Sequence, residues 1–137
     1  MGRILAIDYG GKRTGLAVTD PLQIIATGLE TIATKDIFKF LLEYCKNEEV
    51  EAFVIGESKH LDNTKTKIAL EIDIFAKKIN SLFPKKTIHW IDERFTSKIA
   101  KQSMIMTEMK KKKRRQKEII DEISATIILQ SYMNTKY

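Results

Sequence analysis

The alternation and clustering of apolar positions divide the chain into nine segments. Arg3 to Tyr9, rich in Ile, Leu and Ala, predicts a strand, and Thr14 to Val18 a second, joined through the turn Gly10–Lys12 into a hairpin. Pro21 breaks the pattern, and the β-branched, threonine-rich stretch Ile24 to Ile32 predicts a third strand. Ile37, Phe38, Leu41, Leu42 and Cys45 recur at helical spacing, so a helix runs to about Lys46, with Thr34 or Asp36 as its cap. Ala52 to Ile55 is a short buried strand that ends at Gly56. The polar stretch ESKHLDNTK is a loop, and Ile68, Ile72, Phe75, Ile79 and Phe83 mark a second helix that ends before Pro84. Thr87 to Ile91 is a fifth strand, Thr96 or Ser97 caps a further helix, and Glu118 to Met133 forms a last helix with Ile120, Ile123, Ile127 and Ile128 on one side.

Three antiparallel strands followed by βα units give an α/β class. The sheet is mixed and five-stranded, with helices on both faces. This order of elements resembles the ribonuclease H-like fold. The 137 residues, 43% of them hydrophobic, suit one domain over 1–137, with no repeat and no linker. No apolar run is long enough to span a bilayer, and Asp8 interrupts the early apolar stretch that a signal peptide would need. The single cysteine, Cys45, sits among Phe38, Leu41, Leu42 and Tyr44 and reads as a packed thiol rather than a nucleophile. These features predict a cytoplasmic protein without a membrane partner.

Charge changes the picture when it is localised. The net charge is +6, and the segment KKKKRRQK holds seven basic residues: Lys110, Lys111, Lys112, Lys113, Arg114, Arg115 and Lys117. Without that segment the chain carries −1. A nearly neutral protein with one concentrated basic run predicts contact with a polyanion, most simply the phosphates of nucleic acid.

Three acids sit where apolar neighbours dominate. Asp8 lies in the first strand, Glu93 follows Asp92 at the end of TIHWID, and Asp121 lies in the first turns of the last helix among Ile119, Ile120 and Ile123. Burying an unpaired carboxylate costs several kcal/mol, so Asp8 in particular needs a compensating charge. Strand ends and a helix start are places that an α/β sheet gathers at one edge. Carboxylates gathered there can hold Mg²⁺, which takes oxygen ligands and keeps several waters. Small residues beside Asp121, Ser124 and Ala125, would let that helix approach a strand closely. No zinc-type Cys/His spacing, P-loop or G-x-G-x-x-G pattern is present, and His89, in a strand beside Trp90, reads as packed.

The stretches ILAIDYGGKRTGLAVTD, WIDERFTSKIA and IIDEISATIILQSYM resemble the YqgF family, also called RuvX, over Ile4 to about Gln130. The resemblance implies a RuvC-like nuclease domain and a metal-dependent hydrolase. It would cleave phosphodiesters in structured nucleic acid, as a pre-16S ribosomal RNA nuclease or a Holliday junction resolvase. It implies Asp8, Glu93 and Asp121 as the catalytic and metal-holding set, with Mg²⁺ or Mn²⁺ as cofactor. It matches Lys12 and Arg13 to the basic pair after the first motif, which would contact the phosphates of nucleic acid, and Asp20 to an acid that closes the second strand. The implied partner is pre-rRNA, with the ribosome beside it, or branched DNA. RNA trimming is compatible with a monomer, whereas symmetric junction cutting calls for a two-fold homodimer. Two departures stand out. IGESKHLDNTKT lacks the Gly-x-Pro step usual after the fourth strand, and RRQKEIID lacks a glycine before Asp121, which predicts a helical approach to that acid. Rival readings are a non-catalytic RNA- or ribosome-binding protein of the same fold, and an ATP-binding relative of actin and the sugar kinases. The latter needs a second domain for which 137 residues leave no room.

Overall fold

A computed structural model of the chain describes residues 2–57, 66–92 and 116–136, and in the last of these the side chains of residues 120–135. Among the described residues the strands are β1 (Arg3–Asp8), β2 (Arg13–Thr19), β3 (Ala26–Ala33), β4 (Val50–Glu57) and β5 (Thr87–Asp92). The helices are α1 (Ile37–Asn47), α2 (Lys67–Leu82) and α3 (Gln116–Lys136). The helix expected after Thr96 lies outside the described residues.

The strands form one sheet in the order β3-β2-β1-β4-β5. β1 pairs antiparallel with β2, and β2 with β3. β1 pairs parallel with β4, and β4 with β5. This is the mixed sheet expected from the order of elements. β1 is central and is covered on both sides, which is why its Ile4 to Ile7 read as an unbroken apolar run. One face of the sheet offers Leu5, Ile7, Leu16, Phe53 and Ile55 to Ile37 and Leu41 of α1 and to Ile72, Phe75 and Ile79 of α2. The other offers Ile4, Ala6, Ala17 and Val54 to Ala125, Ile128 and Leu129 of α3. Each fully buried Leu or Ile contributes about 1.5–3 kcal/mol of transfer free energy. The α3 layer is lined by alanines on the sheet side, so this helix lies close to the strands.

Three local features differ from the sequence pattern. β4 starts at Val50, two residues early, because its parallel ladder with β1 already includes the pair Arg3 and Val50. β3 starts at Ala26 rather than Ile24, because Ile24 and Ile25 belong to a turn whose N–H groups bond the Asp20 carboxylate. Neither Thr34 nor Asp36 caps a helix through its side chain. Thr34 instead donates its hydroxyl to the Gly10 carbonyl at 2.6 Å. That leaves Thr14 as donor in the 2.9 Å contact between the two hydroxyls. By contrast, α2 is capped in the ordinary way, with Thr66 Oγ1 accepting from Ala69 N–H at 3.2 Å.

Candidate active site

The register of the β1–β2 hairpin sets Asp8 directly opposite Gly15. Ile4 and Ala6 of β1 pack in the α3 layer, so alternation puts Asp8 on the α3 face of the sheet. Ala17 of β2 packs in the same layer, which puts Gly15 on that face as well. A Cβ built on Gly15 would lie 2.1 Å from the backbone oxygen of Asp121 and 2.4 Å from its carbonyl carbon. No side chain fits in that space, and only glycine lets α3 come down onto β2 at this point. Gly15 therefore brings two acids together, Asp8 beside it in the sheet and Asp121 above it in the helix.

Asp121 is half-buried and ion-paired, with Arg13 Nε donating to its Oδ2 at 3.0 Å. Arg13 opens β2, two residues before Gly15, so it also lies on the α3 face by alternation. Its side chain is 39% exposed, which places the pair near solvent, where such contacts are worth at most about 1 kcal/mol. The pairing is thus a matter of arrangement more than of stability. Lys12, in the turn before it, is exposed.

The turn carrying Lys12 is held from the β3 side. Thr34 donates to Gly10 through its hydroxyl, and its N–H bonds the Lys12 carbonyl at 2.9 Å. α3 begins at Gln116, so the chain approaches Asp121 as helix, as the absence of a glycine there predicts. Ser124 and Ala125 are both buried, in keeping with the close helix–sheet contact expected of small residues.

Asp92 does not join the pair. Ile91 packs in the α3 layer, so alternation turns Asp92 to the opposite face, opposite Glu57 in the parallel ladder. Glu93 and the segment Lys110 to Arg115 lie outside the described residues, as does the side chain of Lys117. Among the described residues no group of three or more carboxylate, imidazole or thiol side chains is placed to hold a metal ion.

Asp20 has a task of its own. Its Oδ1 accepts from the Ile24 and Ile25 N–H groups at 2.7 and 2.8 Å, and its Oδ2 from Leu22 N–H at 3.2 Å. These backbone bonds, Ile25 first, hold its carboxyl below the ordinary carboxylate value. It clamps the turn between β2 and β3 in which Gln23 takes φ 59° and donates its buried amide to the Gly2 carbonyl at 2.8 Å. Cys45 is a free, partly buried thiol. Burial pushes it up, against a smaller opposing effect of Lys86, which keeps it protonated and a poor nucleophile. His89 packs on Tyr132 with ring centroids 4.8 Å apart.

Two elements of the site were not visible as such in the sequence. Gly15 reads as one more residue of a hairpin strand, and its importance comes from a helix more than a hundred residues away. Arg13 reads as a phosphate-binding cation, whereas in the structure it contacts Asp121. A glycine inside an apolar strand was the available signal for the first.

Comparison with known proteins agrees with this architecture. Two solved structures of Thermus thermophilus RuvC superpose on it. One has TM-score 0.59 with 97% of each chain covered, and the other, in complex with a Holliday junction substrate, has TM-score 0.60 with 98% covered. Both are 15% identical in sequence, and they show the fold, ribonuclease H-like. A protein of Christiangramia forsetii named "Putative pre-16S rRNA nuclease" is 53% identical, covering 97% of this chain and 98% of its own. One of the same name from Bacteroides fragilis is 46% identical, with 99% of each covered. The family model described as "RuvX: Holliday junction resolvase" matches residues 2–135, and with that span and those identities the chain belongs to the RuvX family.

Proposed function

We propose that this protein is a divalent-metal-dependent endonuclease that cleaves phosphodiester bonds in structured nucleic acid, with the 5′ end of pre-16S rRNA as its main substrate. The observation that carries the reading is the meeting of Asp8 and Asp121 across Gly15 at one edge of the sheet. Sequence kinship with proteins named as pre-16S rRNA nucleases supports the choice of substrate.

The donors at that edge fit a hard cation, because carboxylate oxygens are what Mg²⁺ and Mn²⁺ take. Asp8 and Asp121 would hold it, and Glu93, which follows β5 directly, would complete the set. When bound, such an ion supplies an activated water and neutralises charge on the phosphodiester. The reaction class is hydrolysis: water adds to phosphorus, one P–O ester bond breaks, and the leaving oxygen takes a proton. Lys12 projects from the turn beside Asp8 and would grip a phosphate near the scissile one. Arg13 orients the Asp121 carboxylate through Oδ2 and keeps positive charge where the phosphate arrives. The basic segment ending at Lys117 would hold the backbone further along the strand. The protein would work in the cytoplasm, as one domain, on RNA or on the assembling ribosome.

The test is cleavage of a pre-16S rRNA fragment and of a four-way DNA junction in Mg²⁺ or Mn²⁺, by wild type and by Asp8→Asn. A lost contact worth several kcal/mol in the transition state lowers the rate at least about a hundredfold. Nucleic-acid binding should persist in the variant, since the basic segment does not use Asp8. An Asp8→Asn protein that cuts at the wild-type rate would overturn the assignment, and wild-type binding without cutting would leave a non-catalytic binder.

A further inference from the structure

On the opposite face of the sheet from Asp8, a cavity of about 310 Å³ opens between α1 and α2. Its lining includes Tyr9, Phe38, Glu71, Ile74, Phe75 and Lys78. Tyr9 is the residue after Asp8, and consecutive Cα atoms are about 3.8 Å apart. Asp8 and Tyr9 turn to opposite faces, so the cavity and the proposed cleavage site lie on either side of the end of β1. Thr34, which also lines the cavity, is bonded to Gly10 and paired with Thr14. The pocket and the Asp8 turn are thus fixed to each other.

The chemistry of the lining is specific. Tyr9 and Phe38 both lean on Phe75, with centroids 4.7 and 5.4 Å apart. The Lys78 ammonium lies 4.3 Å from the Phe38 centroid. It ends an exposed, flexible side chain, so a flat ligand can displace it from the ring while its charge stays at the mouth. Glu71 is exposed at the rim and can accept from amino or imino N–H groups. Ile74 is 69% exposed at the opening. Aromatic surfaces with a cation and a carboxylate at the rim are what an unstacked nucleobase requires: faces to stack on, an acceptor for its edge and a positive charge for its phosphate.

We propose that this cavity binds one unpaired base of the substrate strand as it passes round the end of β1 from the phosphodiester at Asp8, and so selects bulged or frayed sites over continuous duplex. The proposal rests on the nucleic-acid reading above and adds a specificity determinant to it. The ligand chemistry is a nucleobase, and its source is either the strand itself or a free nucleotide.

The experiment uses the full chain and an RNA hairpin carrying a single 2-aminopurine bulge, beside the same hairpin fully paired. Wild type should bind the bulged hairpin about tenfold more tightly and quench its fluorescence. Ile74→Glu, a surface change at the mouth, should erase both effects. Ile25→Glu makes the same charge change at a site that is equally open, 63% exposed, and does not line the cavity; it should keep both. Equal wild-type affinity for the two hairpins would overturn the pocket and leave the nucleic-acid reading standing. Failure to bind either hairpin would remove both. Tight binding of free GMP or AMP by a wild type that shows no preference for the bulged hairpin would assign the cavity to free nucleotides and overturn the strand proposal.

Discussion

A carboxylate that accepts from backbone N–H groups resists protonation, and Asp20 accepts from three of them. Its native pKa lies below the ordinary value of 3.8, so the unfolded chain binds the proton first as pH falls. The stability this contributes is fully present above 3.8 and is lost as pH drops through the lowered native value. Asp20→Asn keeps one acceptor oxygen and removes the titration. Chemical denaturation from pH 7 down to pH 2 should therefore show the wild type's advantage over the variant shrinking only below that ordinary value. An advantage that does not change with pH would mean that the charge of Asp20 adds nothing to the clamp. Neutral-pH cleavage should be unaffected by anything but the turn, because Asp20 lies at the far end of β2 from Arg13 and Gly15. The same acid that resembles a motif residue in the sequence is thus explained by three hydrogen bonds in its own turn.

At the scale of elements, the decisive contact is α3 on β2. Replacing Gly15 by Ala puts a methyl group where the Asp121 carbonyl already sits, and backbone cannot rotate away as a side chain would. Overpacking of this kind costs about 1–3 kcal/mol, which lowers the melting temperature by several degrees. It should also lift Asp121 from Asp8, so cleavage falls further than the lost stability explains. An unaltered melting temperature in Gly15→Ala would show that helix and strand stand further apart. Much of this level was legible in the sequence. The apolar run of β1 and the 3.6-residue period of α2 each named their element, because each buries a continuous face, whereas in α3 every residue from Ile123 to Leu129 is buried and the sheet is met by Ala125, Ile128 and Leu129 rather than by a single row of isoleucines. The ends were less so. Ile24 and Ile25 look like strand residues by composition, yet Asp20 draws their N–H groups into a turn. Thr34 looks like a cap, yet Gly10 and Thr14 take its hydroxyl. In the site, Asp8 and Asp121 were legible as charges in apolar surroundings, whereas Gly15 and the Arg13–Asp121 pair depend on residues far apart in the chain, which no local pattern carries.

For the whole molecule the governing feature is the concentration of charge in one stretch of the sequence. Seven of the basic residues stand together between Lys110 and Lys117, directly before and into α3, which starts at Gln116. At about 1.5 Å of rise per helical residue, Lys117 is only about 6 Å along the axis from Asp121, so the end of the run is about one turn from the acid. A polyanion gripped by this segment would therefore be led to the edge where Asp8 and Asp121 meet. Such a grip releases counterions, and log Kd against log salt should be linear, with a slope of about 0.9 per phosphate neutralised on duplex DNA. Changing Lys112, Lys113, Arg114 and Arg115 together to Gln should reduce that slope by up to about 3 to 4, weaken paired and bulged substrates alike, and leave the melting temperature in place. The measurement is a binding titration of a four-way junction and of an RNA hairpin at several salt concentrations. A slope equal to the wild type's would show that the run is solvated and that the phosphates are held elsewhere. A slope that falls while the preference for the bulged hairpin persists would separate the two kinds of contact: charge along the backbone for affinity, and the aromatic cavity beside Tyr9 for the choice of site.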